Sequence, residues 1–67
     1  MFFDSKGQAI ARGDKAFGSA GDEIIIGQVK EVNDQNTLVV DPEGRELWVP
    51  NGLVTITKKA YFGPYTS

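Results

Sequence analysis

A chain of 67 residues that has no cysteine, no histidine and a net charge of −2 has few kinds of chemistry open to it. A domain of this size buries only about 60% of the surface that its unfolded chain exposes, so its core is small. The missing residue types exclude disulfides, thiolate metal sites and histidine-based acid–base catalysis.

Short runs of β-branched and aromatic residues alternate with turn residues along the chain, which contains eight glycines. At the N-terminus, Phe2 and Phe3, a turn at residues 4–7 and a return at residues 8–11 predict a β-hairpin within residues 1–12. The elements predicted after it are a strand from residue 15, a flexible loop at 18–22, strands at 23–32, 37–41, 46–49 and 53–57, and a 3₁₀ turn at 50–52. A bulge or sharp bend is expected at Gly27, inside the longest strand.

Alternation of side chains predicts which residues face the core. The expected inward set is Phe17, Ile25, Gly27, Val29, Leu38, Val40, Leu47, Val49, Val54 and Ile56, whereas Trp48 faces away from it. Five strands with one long bent member, two hairpins and a short closing strand predict an all-β fold, a small five-stranded SH3-like barrel. The barrel with its N-terminal β-hairpin takes residues 1–59 as a single domain, and residues 60–67 form an aromatic C-terminal tail.

Several stretches resemble small bacterial SH3-like modules. The run Gly13-Asp14-Lys15 opening a strand, followed by Ile26-Gly27-Gln28-Val29, is similar to both PRC-barrel and KOW-type domains. Residues 17–23 and 46–50 are similar to the PRC-barrel pattern, and the opening stretch from Asp4 to Asp14 resembles the start of the C-terminal domain in PhnA-type proteins and short phage proteins. The PRC-barrel resemblance implies protein partners, and the KOW-type resemblance implies RNA or the ribosome and transcription machinery.

No catalytic, cofactor or metal site is predicted. The available nucleophiles are serines and threonines, and none lies at a useful spacing from a lysine or carboxylate base. The turn at residues 33–36 lacks the glycine and the distal glutamate of an EF-hand loop. Because no segment has the roughly 20 apolar residues of a membrane span and the N-terminus does not resemble a signal peptide, we expect a cytoplasmic protein that is not an enzyme.

Charge is distributed unevenly along the chain. Seven acidic residues lie between Asp22 and Glu46, against two basic ones, whereas the two ends are mainly basic. The basic residues are candidates for contacts with single-stranded nucleic acid, especially beside the aromatic tail: Lys6, Arg12, Lys15, Lys58 and Lys59. An overall acidic composition opposes this interpretation, since it repels phosphates.

Aromatic residues outside the predicted strands favour a second hypothesis. The candidate interaction surface consists of Phe2, Phe3, Trp48, Tyr61, Phe62 and Tyr65, since aromatic side chains are enriched at protein interfaces. Either the tail folds back over Trp48 and the N-terminal phenylalanines, or these side chains remain exposed for a partner. The leading hypothesis is therefore a protein-interaction or assembly module, including a homo-oligomer or a phage or mobile-element accessory protein, and nucleic-acid binding is the alternative.

Overall fold

The computed structural model describes residues 1–60. The elements are the strands β1 (Lys15–Ala20), β2 (Glu23–Val32), β3 (Asn36–Val40), β4 (Glu46–Pro50) and β5 (Val54–Lys58), with a 3₁₀ turn at Asn51–Leu53 between the last two. All five strands belong to one antiparallel sheet in the order β4-β3-β2-β1-β5. The chain is therefore all-β, as the alternation of apolar and turn residues predicts, and its first and last strands are neighbours.

The buried core lies on one face of this sheet. Its members come from every strand and from the N-terminal segment: Ile10, Ala16, Ile25, Val29, Val39, Val49, Val54 and Ile56. The sheet curls enough to bring β1 against β4, although β2 and β3 lie between them in the strand order. A β-carbon built on Gly18 would lie 2.9 Å from Cγ2 of Val49, so only a glycine leaves room for that valine.

Strand β1 differs from the prediction in length and in facing. It continues through Ala20, so the connection to β2 is a short turn at Gly21 and Asp22 rather than a loop from residue 18. Phe17, predicted to fill the core, is 37% exposed on the outer face. The reason is space: Ala16 and Gly18 point inward, where the core valines leave room only for small residues.

Strand β3 also faces the opposite way from the prediction. Val39 joins the core, Thr37 is fully buried, and Leu38 is covered outside the core cluster. In the run from Thr37 to Val40, the sequence allows either Leu38 and Val40 or Thr37 and Val39 to face inward. The pairing of Val39 with the core residue Val29 selects the second arrangement. The β2–β3 register then shifts between Val29 and Glu31, which restores the inward facing of later residues.

The irregularity in β2 is therefore not at Gly27, where the pairing with β1 remains regular. Gly27 has a different role. The carbonyl group of Val40 passes so close to it that any side chain there would collide with backbone. At this glycine the structure therefore has, in place of the expected bulge, a close approach between β2 and the end of β3.

Candidate interaction surface

Three large apolar side chains project from the outer face of β1 and β2. Phe17 pairs with Ile26 across the two strands, and Ile24 lies two residues before Ile26 on the same side. Ile24 is 57% exposed and Ile26 is 65% exposed. These three residues, here called the apolar face, lie on paired strands that hold them in fixed relative positions.

A groove runs beside this apolar face along the outer side of β2. One hollow, of about 800 Å³, lies over Gln28 and Lys30 and is bordered by Arg12. A second hollow, of about 320 Å³, lies over Ile26 and Gln28 and is bordered by Lys15 and Pro42. Both are lined by Gln28 and Val40, so the two hollows are neighbours, and together they are here called the β2 groove.

Basic side chains lie along one side of the β2 groove. Lys15 pairs with Gln28 on one side and with Lys58 of β5 on the other. Within residues 1–60, neither Arg12 nor Lys15 forms an ion pair with a carboxylate. Lys30 differs, because its ammonium group lies 2.8 Å from Glu46, and that hydrogen bond and charge raise the pKa of Lys30.

Lys59 is engaged in the structure rather than presented outward. Its ammonium group lies 2.6 Å from a carboxylate oxygen of Asp14 and donates a second hydrogen bond to the carbonyl oxygen of Ala9. The Asp14 carboxylate, which is fully buried, also accepts hydrogen bonds from the backbone of Ala11 and Ala60. Burial by itself raises the pKa of Asp14, but the hydrogen bonds from Ala60, Lys59 and Ala11 outweigh it and lower the pKa below 3.8.

Lys6 lies toward the opposite end of β5 from Lys58. The turn that carries it is fastened by Asp4, whose carboxylate accepts hydrogen bonds from the backbone of Lys6, Gln8 and Ile56. Ser5 donates a hydrogen bond to the carbonyl of Val54, where β5 begins. Of the five predicted nucleic-acid contacts, the structure brings Lys15 and Lys58 together, places Arg12 at the groove, and separates Lys6 from them.

Burial also affects the pKa of Asp4, the second buried aspartate. Removal from water raises the pKa of Asp4, but the three backbone hydrogen bonds and the charge of Lys6 more than compensate, so the net pKa falls below 3.8. Asp4 and Asp14 thus each join the segment before β1 to β5 or to the residues just after it by hydrogen bonds. In the sequence they stand in predicted turns, and a carboxylate that caps backbone N–H groups beside a glycine is the signal that could have indicated their burial.

The predicted aromatic surface is only partly described. Trp48 is 46% exposed and faces the outer side of the sheet, as predicted. Its cross-strand partner is Leu38, which was predicted to face the core. Phe3 is exposed and forms a single bridge with Ala9, whereas Phe2 is half-buried. The remaining predicted members, Tyr61, Phe62 and Tyr65, lie outside the described residues.

The apolar face was missed by the sequence analysis, although a signal for it exists. Three consecutive isoleucines on one strand cannot all face the same way, so burial of Ile25 forces Ile24 and Ile26 outward. Phe17 joins them because its neighbours Ala16 and Gly18 are the residues that fit inside. The arrangement offers apolar contact area beside positive charge, a combination suited to binding.

In the part of the chain that the structure describes, no three acidic side chains gather as a metal site would require, and no helix is long and apolar enough to cross a membrane. When the chain is compared with known proteins, no family model, no curated protein and no solved structure matches it.

Proposed function

We propose that this chain is a non-catalytic protein-interaction module that binds an extended segment of another protein against the apolar face and the β2 groove. The single observation that carries this proposal is the outward pairing of Phe17 with Ile26, next to a groove on the same side of the sheet. Apolar side chains of this size, grouped and exposed, mark contact surfaces on small proteins. Their backbones are fixed by the strand ladder, so binding costs little ordering entropy.

The architecture proposed for this module is the SH3-like barrel. Three features support it: the neighbouring first and last strands, the contact of Gly18 with Val49 across the sheet, and the reach of the β3–β4 turn back to the start of β2. In that third contact, the Arg45 guanidinium donates hydrogen bonds to the carbonyl of Ile24 and to the carboxylate of Glu23. A sheet that curls this far leaves its convex side, including the apolar face, available to a partner.

A displayed library of random nine-residue peptides tests the proposal. We expect peptides to be enriched on the immobilised wild-type chain and to lose binding to Ile26→Ser. The matched control is Leu53→Ser, since Leu53 is 50% exposed but lies outside the groove and the apolar face. Absence of enrichment, or binding that is equally weakened by both substitutions, contradicts the proposal.

A second copy of this chain is the competing partner for the apolar face and the β2 groove. The outer edge of β5 is partly covered, because Asp4 and Ser5 bond to its backbone, whereas no strand within residues 1–60 pairs with the outer edge of β4. Sedimentation analysis across a hundredfold concentration range separates the cases. If the mass stays that of a monomer, the partner is a different protein. If a dimer forms and Ile26→Ser dissociates it, the partner is a second copy of this chain.

Single-stranded nucleic acid is the second candidate, and one observation favours it. Lys15 and Lys58 are cross-strand neighbours, and Phe17 follows two residues later on the same face, which places positive charge beside a stacking surface. A titration of the amide NMR spectrum with a twelve-residue oligothymidine tests it. Salt-sensitive shifts at these three residues support the second candidate, and an unchanged spectrum at low salt eliminates it.

A further inference from the structure

The β2 groove has different chemistry at its two ends. At the end over Lys30, the groove is bordered by Arg12, whereas Lys15 borders the end over Ile26. At the end over Ile26, apolar surface comes from Ile26, Val40 and Pro42, and the charged residues in the lining are Lys15 and Asp41. The Asp41 carboxylate is already engaged, because it accepts hydrogen bonds from the backbone of residues 43 and 45. A ligand lying along the groove therefore meets only basic charged side chains at the Arg12 end, and apolar surface beside one basic and one acidic side chain at the Ile26 end.

From this asymmetry we infer that the partner is an acidic–apolar peptide, in which one carboxylate and one large apolar side chain are separated by an even number of positions. The inference rests on the proposed function and names the class of segment that the module recognises. The carboxylate lies against Arg12 and Lys15, and the apolar side chain lies against Ile26 and Val40. Phe17, next to Ile26 in the sheet, extends the apolar contact.

The spacing follows from strand geometry. Lys30 and Ile26 are four positions apart, and at about 3.3 Å per residue the groove between them is about 13 Å long. In an extended peptide, side chains alternate between the two sides, so those that face the groove are two or four positions apart. A carboxylate and a leucine at positions i and i+4 thus both face the groove, whereas at i and i+3 one of them faces solvent.

Two of the three cations that line the groove lack a carboxylate partner within residues 1–60, which supports an acidic group in particular. Within residues 1–60, Arg12 and Lys15 have no carboxylate partner, in contrast with Lys30, Arg45 and Lys59, which form ion pairs. The Arg12 guanidinium presents a planar fork of donors that matches a carboxylate. Because both side chains are exposed, the charge contribution is modest and is screened by salt.

Synthetic peptides of fixed design test the inference. The probe set consists of capped nine-residue serine peptides that carry one glutamate and one leucine two, three, four or five positions apart, in both orders, with glutamine and lysine replacing glutamate as matched controls. Binding is measured from amide NMR shifts at Arg12, Lys15, Ile26 and Gln28. We expect spacings of two and four to bind more tightly than three and five, and glutamate to bind about two- to fivefold more tightly than glutamine at low salt.

Substitutions in the chain complete the test. Arg12→Gln and Lys15→Gln are each expected to reduce the preference for glutamate over glutamine, and together to remove most of it, while leucine-dependent binding is retained. The control Lys6→Gln, in the N-terminal turn, leaves the preference intact. An equal affinity for glutamate, glutamine and lysine peptides, or the absence of any difference between even and odd spacings, overturns the inference but leaves the proposed function standing. If no peptide of either this set or the random library shifts the groove residues, both fail.

Discussion

The Lys59 ammonium group lies 2.6 Å from the buried carboxylate of Asp14, 45 positions earlier in the chain. The same carboxylate accepts a hydrogen bond from the backbone of Ala60, so the end of β5 is fastened to the start of β1 by side-chain chemistry as well as by the strand ladder. The backbone carbonyl oxygen of Asp14 also accepts a hydrogen bond from the N–H of Val29 in β2. One aspartate thus joins three segments that are distant in sequence.

Replacing that carboxylate with an amide is expected to lower stability substantially. In Asp14→Asn the ion pair disappears, and the amide nitrogen faces N–H donors instead of accepting from them. Hydrogen bonds to a charged group contribute about 1.5–3 kcal/mol, so we expect a loss of about 2–3 kcal/mol in the free energy of unfolding. Urea denaturation measures it. Asp34→Asn, at an exposed turn position, serves as the control and should change stability by less than about 0.5 kcal/mol.

The pH dependence of stability should reveal both buried aspartates. The pKa of Asp4 and the pKa of Asp14 are lowered in the folded chain relative to 3.8. Between pH 3.8 and the lower folded pKa values, the unfolded chain therefore binds more protons than the folded chain. The free energy of unfolding decreases as the pH falls through this range. We expect this contribution to be fully present above about pH 5 and to be lost progressively as the pH falls through 3.8 and then through the lower folded pKa values.

Urea denaturation between pH 2 and pH 7 measures this dependence in the wild type and in Asp4→Asn. The variant should be less stable at neutral pH and should lose less stability on acidification, since one of the two lowered pKa values has been removed. Parallel curves for the two proteins would show that Asp4 does not contribute to the acid sensitivity.

Much of this fold is predictable from the sequence, because turn residues and alternation are local signals. The turn at 4–7, the 3₁₀ turn before β5 and the outward facing of Trp48 all follow from such signals. The facing of Phe17 and of β3 does not, since both depend on which residues lie opposite in the folded sheet. Residue size alone favours Phe17 in the core, whereas the space left beside Val49 admits only Gly18.

The candidate site is likewise only partly predictable from the sequence. Composition indicates that the ends are basic and that exposed aromatic residues are numerous, but it cannot show that Lys15 and Lys58 are neighbours while Lys59 is held by Asp14. The β2 groove is produced by three segments far apart in the chain, around Arg12, Gln28 and Val40. Its existence depends on sheet order and register, which no local pattern encodes.

Gly27→Ala should be severely destabilising. A methyl group at this position would collide with the backbone carbonyl of Val40, and backbone in a sheet has little freedom to move away. We expect a loss of more than about 3 kcal/mol in the free energy of unfolding, or failure to fold, as judged by circular dichroism and urea denaturation. Gly52→Ala is the matched control, since a β-carbon there meets no atom within 4 Å. Equal stability of the two variants would contradict the close approach of β2 and β3.

The contact between β1 and β4 predicts a compensating pair of substitutions. Gly18→Ala places a methyl group 2.9 Å from Cγ2 of Val49, so we expect it to cost about 1–3 kcal/mol through overpacking. In a background of Val49→Ala, which vacates that space, the same glycine substitution should cost much less. A double-mutant cycle by urea denaturation measures the difference. Strictly additive effects would indicate that β1 and β4 do not touch, and the barrel architecture would lose its main support.

Adjacent isoleucines on β2 provide the sharpest comparison between core and surface. Ile25 is 2% exposed and Ile26 is 65% exposed, although they are neighbours in the same strand. Threonine retains the β-branch that strands favour, so each substitution mainly replaces the ethyl group of isoleucine with a hydroxyl. We expect Ile25→Thr to cost about 2–4 kcal/mol and Ile26→Thr to cost less than about 1 kcal/mol in urea denaturation. If the costs were reversed, the alternation of β2 would be out of phase, and Ile26 would belong to the core instead of the apolar face on which both binding proposals depend.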